Sequence, residues 1–385
     1  MIKSSNITEL LKGVKVEFLP LWKVTTWDKK FNSVDNHKQK HIIKYNYLLA
    51  NELKVLISNN GNVKLLTTNT SDLWTTEKLA GKRVSEGEIV AIPWGGNANV
   101  QYYKGKFLTA DNRIATSNNP NLLSNKYLYY FLLAKKELLN SFYRGSGIKH
   151  PNMAQVLDLL IPIPPISIQT EIVRILDTFT ALTTELTAEL TTRKKQYNYY
   201  RDKLLTFQED EVEWKNLGEI AKIKNGKDWK KLGDGDIPVY GTGGVMGYVN
   251  THAYNKPTVL IPRKGSITNI FYLESPFWNV DTIYYTEIDE EEIIPKFFYY
   301  YMKTIDLTKL DTGSGRPSLT KAILDNINIP IPPLKEQARI VEILDKFDVL
   351  TNSITEGLPR EIELRQKQYE YYRNLLLNFP KVEDK

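Results

Sequence analysis

Two stretches of the sequence place lysine and arginine among amide, hydroxyl and aromatic side chains, in segments broken by glycine and asparagine. Lysine and arginine meet phosphates, while asparagine, glutamine and arginine can form paired hydrogen bonds with base edges in the major groove. These stretches predict a surface that binds double-stranded DNA; the alternative is that they are ordinary polar turns. The candidates in the first stretch are Lys82, Arg83, Trp94, Asn97, Asn99, Gln101, Lys104 and Arg113. Those in the second stretch are Lys227, Lys230, Tyr240, Thr242, Arg263, Lys264, Ser266 and Asn269.

A catalytic role finds no support in the motifs. The sequence has no GxxxxGK[ST] phosphate loop, no HExxH and no nucleophile elbow. The Asn/Asp/Ser-Pro-Pro-aromatic tetrad of adenine methylation is missing, since SPFW at 275–278 lacks the second proline, and the glycine cluster at 239–250 lacks a P-loop lysine. Asp202, Glu213 and Lys215 could form a nuclease cluster, but a charged interdomain stretch is the interpretation that we favour. We predict no catalytic residues.

Composition narrows the class of protein further. Cysteine is absent and only four histidines occur, so we predict no metal site. A chain of 385 residues with 42% hydrophobic and 25% charged residues predicts at least two folded domains. The net charge of +6 is a mild bias toward polyanionic partners. No apolar run approaches the roughly 18 residues of a membrane helix, and the N-terminal residues do not look like a signal peptide, so we predict a cytoplasmic location.

The sequence repeats itself, which determines how these candidates are organised. IPIPP occurs at 161–165 and at 329–333, and RKKQYNYYRDKLLTF at 193–207 parallels RQKQYEYYRNLLLNF at 365–379. Further back, VAIPWGG (90–96) parallels VLIPRKG (259–265), VEFLPL (16–21) parallels VEWKNL (212–217), and GSG occurs at 145–147 and 313–315. The chain therefore consists of two copies of one sequence repeat, and the second copy has four extra residues near its end.

Each copy changes from a strand-like part to a helical part. Short apolar runs at Gly87–Pro93 and Lys256–Pro262 predict strands. From Ser167 to Phe207 there is no proline or glycine, and apolar residues recur every three or four positions, which predicts a coiled-coil helix of about 40 residues and roughly 60 Å. In the second copy Gly357 and Pro359 predict a break at 356–360.

These patterns predict an α+β protein with two sheet-containing domains and two long helices. The helices should be antiparallel, related by a pseudo-twofold, because parallel helices would force the intervening domain to bridge about 60 Å. The predicted boundaries are 1–150 and 208–320 for the two sheet-containing domains, with 151–207 and 321–385 for the helical regions that follow them.

Basic and aromatic residues on the long helices are candidates for contact with partner proteins. The helical spacing assigns the tyrosines first to the seam between the helices, and the cations to an outer face that is either solvent-exposed or used for docking. The candidates are Arg193, Lys194, Tyr197 and Tyr200 in the first copy and Arg365, Lys367, Tyr369 and Tyr372 in the second.

The chain resembles the specificity subunits of type I restriction-modification systems from about residue 14 to residue 379. The resemblance rests on IPIPP with a following glutamine and isoleucine, on the Lys-Gln-Tyr-x-Tyr-Tyr-Arg pattern at 195–201 and 367–373, and on two variable domains. PVYGTGGVMGY (238–248), VLIPRKGSI (259–267) and PFWNVDTIYY (276–285) are similar to a pattern of target recognition domains. The first domain departs from that pattern because it lacks an equivalent of GTGG, and the interruption at Gly357 and Pro359 departs from helices of equal length.

The resemblance implies a non-catalytic subunit in which each domain reads one half of a bipartite DNA site and the helices recruit two methyltransferase subunits. Restriction subunits would bind through these partners, and S-adenosylmethionine, ATP and magnesium would bind to the partners and not to this chain. The alternatives are a coiled-coil interaction scaffold without a DNA role and a stand-alone nuclease.

Overall fold

The chain divides into two compact units in the computed structural model, in which the described residues are 9–311, 315 and 317–380. Unit 1 comprises residues 1–185 and 363–385, and unit 2 comprises residues 186–362. The predicted equivalence of the two GSG segments falls partly on residues 313 and 314, which lie outside the described residues. The domain boundaries predicted from the repeat stay a prediction.

Unit 1 contains short strands and helices that precede one long helix. Its strands are β1 (Glu17–Pro20), β2 (Thr25–Trp27), β3 (Val63–Leu66), β4 (Trp74–Thr75), β5 (Ser85–Pro93), β6 (Gln101–Thr109), β7 (Asn112–Ser117), β8 (Tyr143–Arg144), β9 (His150–Pro151) and β10 (Leu160–Ile163). Its helices are α1 (Leu21–Val24), α2 (Ala50–Lys54), α3 (Glu77–Ala80), α4 (Asn125–Ala134), α5 (Lys136–Ser141), α6 (Met153–Leu157) and the first half of α7 (Ile166–Leu204).

A six-stranded sheet in the order β2-β7-β5-β6-β3-β4 occupies the centre of unit 1. Its neighbouring strands are antiparallel except β3 and β6, which are parallel. β5 is a central strand, and the run from Ile89 to Ile92 is at most 1% exposed, which explains why this stretch is continuously apolar. The strand predicted at Gly87–Pro93 is confirmed.

Unit 2 repeats the same plan with smaller sheets. Its strands are β11 (Glu213–Asn216), β12 (Ala221–Asn225), β13 (Ile237–Gly241), β14 (Gly244–Val249), β15 (Thr258–Pro262), β16 (Phe271–Leu273), β17 (Trp278–Asn279), β18 (Ile283–Ile288) and β19 (Asn328–Ile331). Its helices are α8 (Leu217–Ile220), α9 (Pro295–Met302), α10 (Lys321–Asp325) and α11 (Leu334–Asn352), and α12 (Gly357–Leu377) begins here and ends in unit 1. The sheets have the orders β12-β18-β15-β16 and β14-β13-β17.

The IPIPP segments occupy the same place in both units. In unit 1 β10 pairs with β1, Ile161 opposite Leu19, and in unit 2 β19 pairs with β11, Ile329 opposite Lys215. Both isoleucines are completely buried. The last two prolines end the strand and lead directly into α7 or α11, because proline suits the start of a helix, where its missing N–H is not needed.

The long helix α7 is a single helix of 39 residues, which confirms the predicted uninterrupted helix, although it ends at Leu204 and not at residue 207. In unit 1 its first turns pack against the last turns of α12, where the rings of Phe179 and Tyr372 stack at 5.2 Å. Further along, Pro162, just before α7, and Leu377 of α12 line the same cavity. Residue numbers therefore fall along one segment as they rise along the other, so the two segments are antiparallel in unit 1.

Unit 2 contains the complementary pair of helical segments. The last turns of α7 pack against the first turns of α11, where Tyr200 stacks on Phe347 at 5.6 Å and Tyr197 lies 6.3 Å from the same ring. Phe347 and Tyr200 are the repeat equivalents of Phe179 and Tyr372. Each unit is thus completed by the helix end of the other copy, as the α+β repeat with antiparallel helices predicts.

The position of the helix break differs from the prediction. α11 ends at Asn352 and α12 begins at Gly357, so the interruption covers residues 353–356 and not 356–360. Gly357 has a φ of +74°, and a Cβ at this position would collide with the carbonyl of Val349. Pro359 lies in the first turn of α12, where an N–H is not required, and it therefore starts a helix instead of breaking one.

A buried glutamine joins the globular part of each unit to its helix. Gln169 is fully buried; its Oε1 accepts from the Ser124 N–H at 2.9 Å, and its Nε2 donates to the carbonyls of Leu122 and Pro164 at 2.7 and 2.8 Å. Gln337, its repeat equivalent, accepts from the Ile294 N–H at 2.7 Å and donates to two carbonyls in the same way.

An aspartate about two turns further along each helix adds a second connection. Asp177 accepts from Tyr130 Oη at 2.6 Å and from Lys126 Nζ at 2.7 Å, both on α4. Asp345 accepts from Tyr300 and Lys296 of α9 at 2.6 and 2.8 Å. Burial and the Asp345 carboxylate together raise the pKa of Tyr300, so its hydroxyl remains a donor at neutral pH.

Within the part of the chain that the structure describes, no helix is both long and apolar enough to span a membrane.

Replacing Gln337 with leucine should lower the free energy of unfolding by about 2–4 kcal/mol, because the Ile294 N–H and two carbonyls would remain buried without their partner. Urea denaturation measures this change. Gln208→Leu, at an exposed position, is the control and should unfold like the wild type. Equal stability of the two variants would show that the amide does not hold the helix to the globular part.

Candidate nucleic-acid interface

Trp94 is the centre of a cationic and aromatic cluster in unit 1. It follows directly after β5, and its half-buried ring has the Arg113 guanidinium at 4.2 Å and Lys29 Nζ at 5.2 Å from the ring centre. The His150 ring lies 5.3 Å from the Trp94 ring, and its Nδ1 is 2.7 Å from the Trp94 carbonyl. The cluster therefore combines a flat apolar surface with positive charge, which suits a nucleic-acid backbone and its bases.

Asp28 holds this cluster together from beneath. Its buried carboxylate lies 3.8 Å from Arg113, accepts from Tyr47 Oη at 2.6 Å and accepts from the Ile114 N–H at 2.9 Å. Burial raises the pKa of Asp28 despite these partners. Partial burial and the nearby Arg113 lower the pKa of Lys29. Two cationic side chains thus lie near one ring. Lys29 is exposed and presents its positive charge to solvent, whereas Arg113 is buried and its charge is balanced by Asp28.

The loops beside Trp94 are fixed by the amides that the sequence suggested as base readers. Gln101 Nε2 donates to the Thr67 carbonyl at 2.7 Å, and Asn99 Nδ2 donates to the Thr68 carbonyl at 3.0 Å. Both side chains are half-buried, whereas Asn97 is exposed. Asn99 and Gln101 therefore tie the loop at 94–100 to the loop that follows β3, and Asn97 is the amide that this loop presents to solvent.

The remaining candidates of unit 1 lie elsewhere. Lys82 and Arg83 precede β5, whereas Trp94 follows it, so the nine residues of that strand, about 30 Å, separate them. Arg83 donates to the carbonyls of Leu79 and Ala80 at the end of α3. Lys104, in the middle of β6, forms an ion pair with Glu88 at 3.5 Å. The structure thus brings together Trp94, Asn97, Asn99, Gln101 and Arg113 and leaves these three cations outside the cluster.

Unit 2 brings its candidates together at one edge. Asn269 Nδ2 donates at 2.7 Å to the carbonyl of Thr242, which lies in the tight turn between β13 and β14. Arg263 follows β15 and donates to the Asp281 carbonyl at 3.3 Å. Lys264 and Ser266 are exposed in the loop that starts at Arg263. Asn269 therefore connects this loop to the GTGG turn.

The lysine loop of unit 2 joins the same edge through its backbone. The Lys227 N–H donates to the Asn279 carbonyl at 2.9 Å, and the Lys227 carbonyl accepts from Trp278 Nε1 at 3.0 Å. Asn279 pairs with Tyr240 on the neighbouring strand, and the half-buried Tyr240 ring packs on Phe271. Lys230 is exposed further along this loop. Tyr240 therefore supports the edge from within, while the lysines lie at its rim.

One backbone scaffold carries both candidate surfaces. In unit 1 the Gly96 N–H donates to the Lys149 carbonyl at 2.9 Å, and in unit 2 the Gly265 N–H donates to the Pro317 carbonyl at 3.1 Å. By the repeat, Gly265 is equivalent to Gly96, and Arg263 to Trp94. The same loop connection thus presents a tryptophan in one unit and an arginine in the other, so the two candidate surfaces differ in chemistry at this equivalent position.

The cationic candidates on the helices are paired along the helix surface. Arg193 Nε donates to Glu189 at 2.7 Å, and Lys367 Nζ pairs with Glu363 at 2.5 Å. Arg365 donates to Gln368 at 2.9 Å, and Lys194 is exposed. Such exposed pairs leave the cations accessible, and their contact with partner proteins stays a prediction.

The aromatic candidates on the helices are used mainly inside the units. Tyr197 and Tyr372 are only 6% and 7% exposed, and Tyr369 is half-buried, while Tyr200 stacks on Phe347 with part of its ring in solvent. The neighbouring residues Tyr199 and Tyr371 are instead 61% and 58% exposed. These two residues, which the seam pattern passed over, supply the exposed aromatic surface of α7 and α12.

The sequence analysis missed Asp28, Lys29, Tyr47 and His150. A tryptophan followed by an acid and two lysines at 27–30 was a visible signal, but its link to Trp94 depends on pairing of β2 with β7 and of β7 with β5. No such pairing can be inferred from local spacing. Among the residues that the structure describes, no group of three or more metal-binding side chains is found.

Comparisons with known proteins agree with one another. The type I restriction modification DNA specificity domain matches residues 35–193 and again residues 209–364. The type I restriction enzyme EcoR124I/EcoR124II specificity subunit of Escherichia coli is 37% identical over 100% of this chain and 99% of that protein. A putative type I restriction enzyme specificity subunit of Haemophilus influenzae is 36% identical over 97% of this chain and 98% of that protein. The S subunit of a type I restriction-modification system from M. genitalium has a similar fold, with a TM-score of 0.66 and 20% identity over 96% of this chain and 98% of that one.

Asp28→Ala should lower the free energy of unfolding by about 3–5 kcal/mol, because Arg113 would remain buried without its counter-charge. Urea denaturation followed by the fluorescence of the seven tryptophans measures the change. Asp72→Ala removes an exposed carboxylate that pairs with Lys64 and should leave stability unchanged. A stable Asp28→Ala variant would mean that the cluster does not depend on this carboxylate.

Proposed function

Because this chain belongs to the type I restriction-modification specificity subunits, we propose that unit 1 and unit 2 each read one half of a bipartite DNA site through the surfaces at Trp94 and at the GTGG turn. The chain is a DNA-specificity subunit. The assignment of these surfaces rests on their equivalent positions in the two copies of the repeat. In each copy the N–H of the equivalent glycine, Gly96 or Gly265, fixes the loop, and the two loops differ in composition.

The chemistry of each surface fits a different kind of DNA contact. In unit 1 the Trp94 ring, which packs on the buried Arg113, offers a flat face, the exposed Lys29 supplies positive charge, and the exposed Asn97 can pair with a base edge. In unit 2 Arg263 and Asn269 flank the turn as base readers, and Lys227, Lys230 and Lys264 meet phosphates. The sequence has 51 lysine and arginine residues, and lysine predominates at the rim of unit 2, so binding should weaken strongly with salt.

The helices are proposed to recruit the catalytic partners. Because the repeat presents equivalent cationic and aromatic faces on α7 and α12, two methyltransferase subunits could bind in equivalent ways, with the exposed Tyr199 and Tyr371 as apolar contacts. Restriction subunits would then bind through the methyltransferase subunits. S-adenosylmethionine, ATP and magnesium would be held by these partners, this chain would itself be non-catalytic, and the complex would act in the cytoplasm.

The DNA assignment of unit 2 can be tested residue by residue. Arg263→Ala or Asn269→Ala should reduce discrimination at one half-site, with about 1–3 kcal/mol lost for the preferred base, whereas Lys230→Ala should weaken binding to all sequences alike. Selection of bound duplexes from a randomised pool, with the methyltransferase partner present, identifies the site, and titration of single-base variants measures discrimination. A uniform loss for all three variants would remove the assignment of Arg263 and Asn269 as base readers.

The non-catalytic role predicts that the purified chain retards a duplex at low salt but neither cuts nor methylates it when magnesium, ATP and S-adenosylmethionine are added. Filter binding and gel assays of plasmid integrity measure both properties. Absence of duplex binding, alone and with the partner, would favour a protein-interaction scaffold instead, and magnesium-dependent cutting by the chain alone would favour a nuclease.

A further inference from the structure

A second cationic groove lies in unit 1, away from Trp94. It is a cavity of about 600 Å³ beside the first residues of β2 and the last residues of β7. Its lining includes Lys23, His37, Lys38, Lys40 and His41, and among the described residues that line it there is no aspartate or glutamate. We call it the β2 groove. None of these residues was singled out by the sequence.

Hydrogen bonds of Gln39 hold the wall of the β2 groove, and two of its lysines remain exposed. Gln39 is 7% exposed; its Oε1 accepts from the Phe31 N–H, and its Nε2 donates to the carbonyls of Phe31 and Val34. Lys38 is neutralised by Asp158 at 2.6 Å, whereas Lys23 and Lys40 are exposed. The Trp22 ring, with Lys23 Nζ at 5.6 Å and the His37 ring at 5.7 Å, supports the same side. The groove is therefore preformed for an anion.

The repeat provides an internal comparison. The equivalent groove of unit 2 is a cavity of about 440 Å³ lined by Glu219, Glu287 and Asp289 together with Lys222 and Lys256. Lys23 in VEFLPLWKV aligns with Glu219 in VEWKNLGEI, so the charge is reversed at one position of the scaffold. Three carboxylates against two lysines make that groove unsuitable for a phosphate, and the positive charge of the β2 groove is a property of unit 1.

The distance between the Trp94 cluster and the β2 groove indicates which ligand the groove binds. Arg113 contacts Trp94, and Ser117, four residues along the same strand β7, lines the groove. Four residues of a strand span about 13 Å at roughly 3.3 Å per residue. Along a DNA duplex this distance corresponds to about four base pairs at 3.4 Å each. A duplex bound at Trp94 and running along β7 would thus bring backbone phosphates to Lys23 and Lys40.

We propose that the β2 groove binds backbone phosphates of the duplex about four base pairs from the bases read at Trp94, and that unit 2 makes no such contact. The proposal rests on the proposed function of unit 1, and it assigns Lys23 and Lys40 to sequence-independent anchoring. The DNA contact is therefore asymmetric, longer on the side of unit 1 than on the side of unit 2.

The test compares two double charge reversals that change the net charge equally. Lys23→Glu with Lys40→Glu alters the groove, whereas Lys54→Glu with Lys136→Glu alters exposed lysines of α2 and α5. The probe is a duplex of about 40 base pairs carrying the site selected by the wild type. The groove variant should reduce the slope of log affinity against log salt by about 1.8, because each phosphate contact contributes roughly 0.9. This corresponds to about a tenfold smaller loss between 50 and 200 mM salt.

Hydroxyl-radical footprinting adds a second measurement. The wild type and the control pair should protect about four additional base pairs beside the unit 1 half-site, and the groove variant should lose that protection while keeping its base preferences. An unchanged slope and footprint in the groove variant would overturn the proposal. If the wild type itself selects no sequence, the proposed function fails, which is a different outcome. Circular dichroism of both variants ensures that a loss of binding does not reflect unfolding.

Discussion

The exchange of helix ends between the two copies of the repeat is the constraint on which the rest of the structure depends. Each globular part has a hydrophobic core that its own copy leaves incomplete, and the missing apolar surface comes from the last turns of the other copy's helix. Phe179 meets Tyr372 in unit 1, and Phe347 meets Tyr200 in unit 2, with equal interplanar angles of 26°. Each copy therefore buries apolar surface of the other copy, and this burial contributes to the stability of both units.

A second layer of interactions holds each sheet-containing part to its helix. Gln169 and Gln337 are buried and fully hydrogen-bonded, and Asp177 and Asp345 each accept from one tyrosine and one lysine. Buried polar networks of this kind are costly when a partner is lost, and they specify one arrangement of the packed elements. Loops that extend from such a supported sheet are held in position before DNA binds. This lowers the entropic cost of ordering the loops on binding.

The two units share this framework and differ in what they display on it. Trp94 and Arg263 occupy one equivalent position, and Lys23 and Glu219 occupy another. The first pair lies at the proposed reading surface, and the second at a groove whose charge changes from purely basic to mixed. The two units thus differ in their loops and in the size of their sheets, while the pairing of the IPIPP strand and the buried glutamine are the same in both, which is what the proposed reading of an asymmetric site requires.

The sequence by itself determined the duplication, the α+β character, the uninterrupted helix, and the strands at β5 and β15, because periodicity and spacing act between residues that are near in the chain. The resemblance in the IPIPP and Lys-Gln-Tyr motifs supplied the DNA role and the partners. Only the tertiary structure decided that Lys29 and Asp28 join Trp94, that Lys82 and Arg83 lie at the opposite end of β5, and that Pro359 starts a helix after a break at 353–356. These features follow from strand pairing between residues 19 to 92 positions apart and from the geometry of one helix turn, neither of which leaves a local pattern in the sequence.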